Sequence, residues 1–209
     1  MPLKYTQYGY TWPPRPENAI PDSMLDKYES EGWAAQVKKN GTCSLAFSNG
    51  SEVIFKTRHN EDHKAWTPGA EHKEFFKSLS RNGQWCVFEA ELLHSKGNSV
   101  KNTWYIFDIL VWQGDYLVGT TFAQRQALLQ EIFKGKLKEG TADHWVIEDK
   151  IWLAKPLKDF KKVWDGLVHS EDEGIVIKDP NAKLKLCNKP NSNVGWQLKC
   201  RRPHKNYGF

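Results

Sequence analysis

The chain has 209 residues, of which 39% are hydrophobic and 13% aromatic, and its formal net charge is +5. This composition can build a substantial core, so it argues against an intrinsically disordered chain and predicts a single domain over residues 1–209. The mildly basic balance is compatible with a polyanionic partner without requiring one.

The cysteines and the hydropathy exclude two further classes. The four cysteines lie far apart without a CxxC pair, which argues against a zinc ribbon and against a disulfide framework. The first ten residues lack the apolar segment of a signal peptide, and no stretch approaches a membrane-spanning length. We therefore expect a cytoplasmic protein that makes no contact with a membrane.

The predicted elements begin with an irregular, proline-rich arm over about residues 1–22 that wraps the domain. The predicted helices cover residues 23–31, 71–81, 122–134 and 157–168. The predicted strands cover residues 33–37, 43–48, 53–57, 85–93, 104–112, 145–153, 173–178 and 196–200. Asn49-Gly50 is a strong hairpin signal. Since strands outnumber helices and include hairpins, the predicted class is α+β, with mostly antiparallel sheets flanked by helices.

Lys38 is a candidate nucleophile. A free lysine has a pKa of ~10.4 and is protonated at neutral pH, but burial or neighbouring cations can make it reactive. Lys38 follows an apolar strand and precedes a tight turn, which could fix its amine at the floor of a pocket. Lys39, Lys178 and Lys199 are candidate cationic neighbours. The alternative interpretation is a lysine that merely decorates a hairpin end.

Three acidic residues are candidates for holding a metal ion. Glu89 and Glu91 alternate with apolar residues along one predicted strand, so both should point to the same face of the sheet. Glu173 stands before Gly174, where a missing side chain lets a ligand approach closely. Carboxylate oxygens are ligands that Mg²⁺ prefers, and triphosphate chemistry requires that ion. Each acid taken alone could equally be a solvated strand end.

Taken in order, these runs resemble the motifs of the covalent nucleotidyltransferases, which comprise ATP-dependent DNA ligases, RNA ligases and mRNA capping enzymes. The resemblance extends from about residue 33 to residue 202 and is greatest to the adenylation domain of DNA ligases. It implies the ligase-type, ATP-grasp-like fold. The matching runs are Lys38-Lys39-Asn40-Gly41, Thr57-Arg58-His59-Asn60, Phe88-Glu89-Ala90-Glu91-Leu92, Tyr105-Ile106-Phe107-Asp108-Ile109-Leu110 and Glu173-Gly174-Ile175-Val176-Ile177-Lys178.

The resemblance assigns a role to one residue in each of these runs. Lys38 would form the covalent bond to AMP, and Arg58 would lie near the ribose or a nucleic-acid phosphate. Glu91 would contact the ribose and a metal-bound water. Phe107 would stack on the adenine ring, and Glu173 would hold the metal.

The last two motifs add further candidates for nucleotide binding. Lys178 is the last residue of the run that begins at Glu173, and it is predicted to belong to the nucleotide-binding site. The final strand should carry a Lys-x-Lys pair facing the α-phosphate. Here it permits two registers, one with Gln197 before Lys199 and one with Lys199 before Arg201. Lys199 is shared by both, and an arginine in the second place keeps the charge but changes the geometry.

The sequence departs from the family pattern at three points. Asn40 and Cys43 stand where DNA ligases usually carry Asp and Arg, which affects recognition of the ribose and the 3′-hydroxyl. Only residues 202–209 follow the last motif, so we expect no OB-fold domain. In that case the enzyme works without it, an accessory protein supplies it, or the substrate is already adenylated.

The implied function is an ATP-dependent DNA ligase that uses Mg²⁺ and seals a nick in duplex DNA as a monomer. The loop that carries Lys183, Lys185 and Lys189, together with Arg58 and Arg201, would contact the nucleic acid. The alternatives are an RNA ligase acting on an RNA-containing nick, a capping guanylyltransferase that uses GTP, and a catalytically silent nucleic-acid-binding module. A small ligase would also suit a viral protein acting in the host cytoplasm.

Overall fold

The structure is a computed structural model that describes residues 3–94, 100–167, 172–187, 189–190 and 192–202. Val168, at the end of the fourth predicted helix, lies outside the described residues, as do residues 1–2 of the predicted arm and Asn188 of the predicted lysine loop. The helices are α1 (Leu25–Ser30), α2 (Ala70–Leu79), α3 (Phe122–Ile132) and α4 (Phe160–Gly166). None of the described helices is long and apolar enough to cross a membrane.

The described residues contain twelve strands, which lie in groups before, between and after these helices. They are β1 (Arg15–Ala19), β2 (Ala34–Lys39), β3 (Thr42–Ser48), β4 (Val53–Thr57), β5 (Cys86–Leu93), β6 (Thr103–Trp112), β7 (Asp115–Tyr116), β8 (Lys138–Thr141), β9 (His144–Glu148), β10 (Ile151–Ala154), β11 (Asp172–Lys178) and β12 (Asn193–Arg201).

Two sheets contain all of these strands. The larger sheet has the order β4-β3-β5-β6-β10-β9-β8, with β7 paired to β6, and the smaller has the order β1-β12-β11-β2. The β6–β10 and β1–β12 pairs are parallel, and the other pairs are antiparallel. The predicted α+β class with mostly antiparallel sheets is confirmed.

Each sheet buries its own apolar face against helices. Phe75 and Phe76 of α2 and Leu129 of α3 pack with strand residues of the larger sheet. Leu25 of α1 and Phe160 of α4 pack against the smaller sheet. The α4 end is tied to α1 as well, because the Glu29 carboxylate accepts the backbone N–H groups that precede and open α4. The opposite faces of the two sheets are thereby left to build a site.

Two of the predicted elements were wrong. The predicted strand over residues 145–153 is a hairpin, because the chain turns at Asp149-Lys150 between β9 and β10. The predicted irregular arm contains β1, which pairs with β12 along a sheet edge, where proline is tolerated. The short strands β7 and β8 were not predicted.

Candidate active site

A pocket lies between the two sheets and is lined by side chains from both. The smaller sheet contributes residues of β2, β11 and β12, and the larger sheet contributes residues of β3, β5 and β6. Residues 12–16, at the end of the arm and the start of β1, line the pocket too. Of the predicted site residues, the lining includes Lys38, Arg58, Glu91, Phe107, Lys178, Lys199 and Arg201.

Lys38 is held by the acidic residue that the sequence paired with it. Its Nζ forms an ion pair with Oε2 of Glu173, and Nε of Arg201 forms an ion pair with Oε1 of Glu173 at 2.9 Å. A bulge between Asp172 and Gly174, opposite β2, accompanies this arrangement. Gly174 has φ +152°, and a side chain there would collide with the Cys200 carbonyl of β12. A glycine is therefore required for β11 to present Glu173 at this position.

Lys39 is paired with two carboxylates, Asp172 and Asp143. Its amine lies 2.6 Å from the Asp172 carboxylate and 2.7 Å from the Asp143 carboxylate, and its side chain is buried. Burial would raise the pKa of Asp143, but bonds from His144 and Lys39 and the charge of Lys39 lower it well below its usual range. Asp172 and Lys39 belong to the smaller sheet, and Asp143 lies in the turn that joins β8 and β9 of the larger sheet, so this cluster links the two sheets beside the pocket.

Glu89 and Glu91 share a face of β5 and both line the pocket, as their alternation predicted. Glu91 Oε1 accepts the Gly41 backbone N–H at 3.0 Å, which joins it to the turn that follows Lys38. Glu89 is buried, and burial together with the nearby charge of Asp108 raises its pKa to about 8. The Cys43 thiol donates to Glu89 at 3.7 Å. The raised pKa favours the protonated, neutral form of Glu89.

Phe107 lies at the end of the pocket that holds Lys178. The Lys178 amine is 4.9 Å from the centroid of the Phe107 ring and donates to the Gln36 side chain at 2.9 Å. The Phe107 carbonyl accepts a hydrogen bond from Gln126 at 2.9 Å. Burial lowers the pKa of Lys178, although the charges of Asp108 and Glu89 oppose that shift. We call this end, defined by Gln36, Glu89, Phe107 and Lys178, the aromatic end.

A buried ion pair between Arg125 and Asp108 supports the aromatic end. Arg125 of α3 donates to both carboxylate oxygens of Asp108 on β6, at 2.8 and 2.9 Å, and to the Thr120 carbonyl at 3.0 Å. Both side chains are almost fully buried. The sequence interpretation missed this pair and also Gln36. An aspartate inside the apolar run of β6 was the available signal, since a buried charge needs a partner.

The opposite end of the pocket is strongly cationic. Burial lowers the pKa of Lys199, and so do the charges of Arg201, Arg15, Lys38 and Arg58. We call this end, defined by these five residues, the cationic end. Arg15, from the arm, is the member that the sequence interpretation missed, because an arginine in a proline-rich segment gives no local signal of a site.

The register of the last motif follows from the pleat of β12. Gln197, Lys199 and Arg201 alternate along the strand and all three line the pocket. Gln197 is buried, Lys199 is central to the cationic end, and Arg201 is paired with Glu173. The structure therefore places the members of both predicted registers on one face.

A sequence model described as the ATP dependent DNA ligase domain matches residues 89–194, which is half of the chain. This chain belongs to that family. The predicted membership is thereby confirmed, and the two-sheet architecture is that of the nucleotidyltransferase domain of ATP-dependent DNA ligases.

Solved structures of low sequence identity share the fold of this ligase domain. A mycobacterial DNA ligase D complexed with ATP superposes with a TM-score of 0.63 at 16% identity, over 91% of this chain and 60% of the other. The ligase domain of LigD from M. tuberculosis gives 0.59 at 17%, over 91% and 59%. A protein titled Pmar-Lig_Pre gives 0.61 at 16%, over 90% and 46%. The chain therefore spans 60% or less of the length of these proteins. No curated protein sequence matches it.

Three of the predicted nucleic-acid contacts lie apart from the pocket of the ligase domain. Lys183, Lys185 and Lys189 are exposed and are not among the residues that line it. Their loop is fixed to the start of α3, because Leu184 is buried and exchanges backbone hydrogen bonds of 2.8 Å with Gly119 and Thr120. The loop thus offers a separate basic surface.

Two carboxylates of the site, Glu173 and Glu91, are of a kind that can hold Mg²⁺ together with a substrate. Among the described residues, no group of three His, Cys, Asp or Glu is arranged to hold a metal ion. Mg²⁺ is commonly bound by one or two carboxylates that act together with substrate phosphates and water. Glu173 and Glu91, on either side of Lys38 and its turn, fit that mode of binding.

Proposed function

We propose that this ligase domain transfers AMP from ATP to Lys38 and from there to the 5′-phosphate of a nick in duplex DNA. The observation that carries the proposal is the position of the Lys38 amine. It lies in the cationic end of a pocket whose other end offers an aromatic ring beside amide groups. An adenine would occupy the aromatic end against Phe107, and the phosphates would occupy the cationic end.

In the first step, the Lys38 amine attacks the α-phosphorus of ATP. A bond forms between Nζ and that phosphorus, and the bond to the oxygen that bridges to the β-phosphorus breaks, so pyrophosphate leaves. The amine must lose a proton before it can attack. Oε2 of Glu173 is in contact with Nζ and is the nearest acceptor for that proton. Arg201, whose Nε forms an ion pair with the other oxygen of Glu173, would help to hold the carboxylate in place.

Lys199 would stabilise charge on the α-phosphate during this attack. Its neighbours are cations, so a phosphate that enters the cationic end relieves their mutual repulsion. Charge stabilisation of this kind is the main contribution that proteins make to phosphoryl transfer. Mg²⁺ held by Glu173 or Glu91 with the substrate phosphates would neutralise further charge.

The later steps use the same site on a polynucleotide. The AMP moves from Nζ of Lys38 to the 5′-phosphate, and a 3′-hydroxyl then attacks that phosphate and releases AMP. We propose DNA as the polymer, in keeping with the family of the domain. Arg58 at the pocket rim and the exposed loop lysines are the proposed contacts to its backbone.

Covalent labelling tests the first step. The protein is incubated with Mg²⁺ and α-labelled ATP or GTP, and acid-labile label on the protein is measured. We expect label from ATP that is lost in Lys38→Ala and retained in Lys134→Ala, an exposed lysine at the end of α3. Label that persists in Lys38→Ala would show that another residue is the nucleophile. Label from GTP alone would make the domain a guanylyltransferase.

Sealing of defined nicks tests the later steps. DNA/DNA, RNA/DNA and RNA/RNA nicks are compared, each with a plain or a pre-adenylated 5′-phosphate. We expect the DNA/DNA nick to be sealed fastest. Binding to DNA without label and without sealing of a pre-adenylated nick would indicate a catalytically silent module instead.

A further inference from the structure

The strand that carries Lys38, β2, is attached to the larger sheet and its helix α3 on both sides of this lysine. Two residues before Lys38, the Gln36 side chain donates to the Gln126 side chain of α3 at 3.1 Å. One residue after it, Nζ of Lys39 lies 2.7 Å from Oδ2 of Asp143, in the turn between β8 and β9. The nucleophile of the proposed reaction therefore lies between two points at which the smaller sheet is joined to the other wall of the pocket.

Asp143 is held in place by several groups of the larger sheet. The Thr141 hydroxyl donates to its Oδ1, and Nδ1 of His144 lies 3.3 Å from the same oxygen. Its backbone carbonyl accepts the Lys155 backbone N–H at 2.8 Å and the Tyr105 hydroxyl at 3.2 Å. Because its own position is fixed in this way, Asp143 can fix the position of a group that binds to its other carboxylate oxygen.

Lys39 connects Asp143 to the strand that carries Glu173. Its Nζ lies 2.6 Å from Oδ1 of Asp172, the residue before Glu173, and the side chains of Lys39 and Asp172 are each only 6% exposed. Asp172 is also the register partner of Lys39, and the bulge that contains Glu173 follows directly. We call Lys39, Asp172 and Asp143 the inter-sheet bridge. It ends one residue away from each member of the pair that Lys38 forms with Glu173.

A change in the inter-sheet bridge should alter the chemical step more than the affinity for the nucleotide. The proposed contacts to ATP are the Phe107 ring for the base and cations such as Lys199 for the phosphates. The inter-sheet bridge instead adjoins the amine that attacks and the carboxylate that accepts its proton. Attack on phosphorus needs close alignment of the reacting atoms, and a displacement of about 1 Å can slow such a step 10²-fold.

We propose that Asp143 is a positioning residue that acts through Lys39 and Asp172 to align Lys38 and Glu173 for attack on the α-phosphorus. This inference rests on the proposed function. Asp143 is not among the described residues that line the pocket, so its effect is exerted through the inter-sheet bridge and not by contact with the substrate. It sets where the smaller sheet presents the amine relative to the larger sheet, on which the base binds.

The rate of covalent labelling at a series of ATP concentrations tests this role in the Asp143→Ala variant. Lys39 keeps Asp172 as a partner in this variant, so no buried lysine is left without a counter-charge. We expect the maximal rate to fall about 10–100-fold. The ATP concentration at half-maximal rate should be unaltered, as should binding of an ATP analogue with a methylene group between the α- and β-phosphorus atoms. Asp143→Asn, which keeps the size and an oxygen acceptor, should lose less.

Glu139→Ala is the matched control. Glu139 belongs to β8 and forms an ion pair with Lys155, the residue directly after β10, so this pair stays within the larger sheet. The variant loses an acidic partner on the same hairpin but keeps the inter-sheet bridge, and it should be labelled at the rate of the unaltered protein. Sealing of a pre-adenylated nick is a second readout. Because Lys38 makes no attack in that step, sealing should be unaltered in all three variants.

Three outcomes would overturn the assignment. One is an unaltered maximal rate in both Asp143 variants. Another is an equal loss in Glu139→Ala, which would assign the effect to the hairpin as a whole. The third is a parallel loss of labelling, of analogue binding and of sealing, which would make the inter-sheet bridge a general support of the fold. If Asp143→Ala does not fold, Asp143→Asn decides alone by the same criteria. Absence of label from the unaltered protein is a separate result, and it would overturn the proposed function together with this role.

Discussion

The two ends of the pocket differ in how far their charged side chains are compensated by neighbouring groups. At the aromatic end, Arg125 neutralises Asp108, Lys178 bonds to Gln36, and the raised pKa of Glu89 favours its neutral form. At the cationic end, five positive side chains converge, and the carboxylate among them, Glu173, is shared by two of the five. The charges of the aromatic end are compensated before a ligand binds. At the cationic end, an anion that binds reduces the repulsion among the positive side chains.

This difference separates stability from activity within one pocket. A polar network in which every group has a partner holds a binding surface rigid. Removing one member leaves a buried charge without a partner, and nothing then offsets the free energy of its desolvation. Repulsion among cations opposes folding, so such a set is retained at a cost in stability. Substitutions at the two ends should therefore have different signatures, and the following predictions test that contrast.

The largest effect on folding is expected at the aromatic end. Arg125→Met leaves Asp108 buried without its partner, and we expect the free energy of unfolding to fall by about 3–5 kcal/mol, measured by urea denaturation. The double variant Asp108→Leu/Arg125→Met removes both charges and should recover much of that loss. If the single variant is as stable as the unaltered protein, the aromatic end is not held together by this ion pair.

At the cationic end, Lys199→Met should reduce the rate of covalent labelling about 10²–10³-fold, because charge on the α-phosphate loses a fixed partner. The same variant should be no less stable than the unaltered protein at pH 7. The pKa of Lys199 is lowered in the folded protein, so its charged amine destabilises the fold at neutral pH. The substitution removes that cost. A variant that loses stability and activity together would contradict the contrast between the two ends.

The pH dependence of stability tests the neutral state of Glu89. Its pKa rises from 4.5 to about 8 on folding, so between these values the folded protein holds a proton that the unfolded chain has released. Stability should therefore fall as the pH rises through that window, by at most about 1.4 kcal/mol per unit, and level off above it. Glu89→Gln should flatten this dependence. A curve that is identical in the variant would show that Glu89 is ionised throughout.

The smallest effect is expected outside the pocket. Changing Lys183, Lys185 and Lys189 to Ala should weaken binding to nicked DNA at low salt and leave covalent labelling unaltered. The slope of log affinity against log salt should decrease by about 0.9 for each lysine that contacts a phosphate. An unchanged slope, measured by fluorescence anisotropy across a salt series, would remove the loop from the DNA-binding surface.

The sequence predicted those parts of the site in which functional residues alternate along a strand. Glu89 and Glu91 alternate along β5, and Lys199 and Arg201 alternate along β12, so their common faces follow from the pleat alone. The turn after Lys38 and the glycine after Glu173 are likewise local features. Order along the chain then indicated the family, which the match over residues 89–194 confirms.

The parts that the sequence did not predict depend on contacts between distant segments. Pro16 argued against a strand, yet β1 forms because it needs only one neighbour, at the edge beside β12. The four residues of β8 are all exposed, and none of them is a large apolar residue, so they carry no apolar pattern to detect. The ion pairs of Lys39 depend on Asp172, beside the bulge in β11, and on Asp143, in the turn between β8 and β9.

The pairing of β1 with β12 also sets the order in which the site can assemble. β1 is synthesised well before its partner strand, which is the last described one. At ordinary rates of translation, the delay between the two is on the order of ten seconds. Throughout that interval Arg15 has no sheet edge on which to dock. A nascent chain should therefore acquire its nucleotide pocket only after β12 has left the ribosome, however early the larger sheet folds.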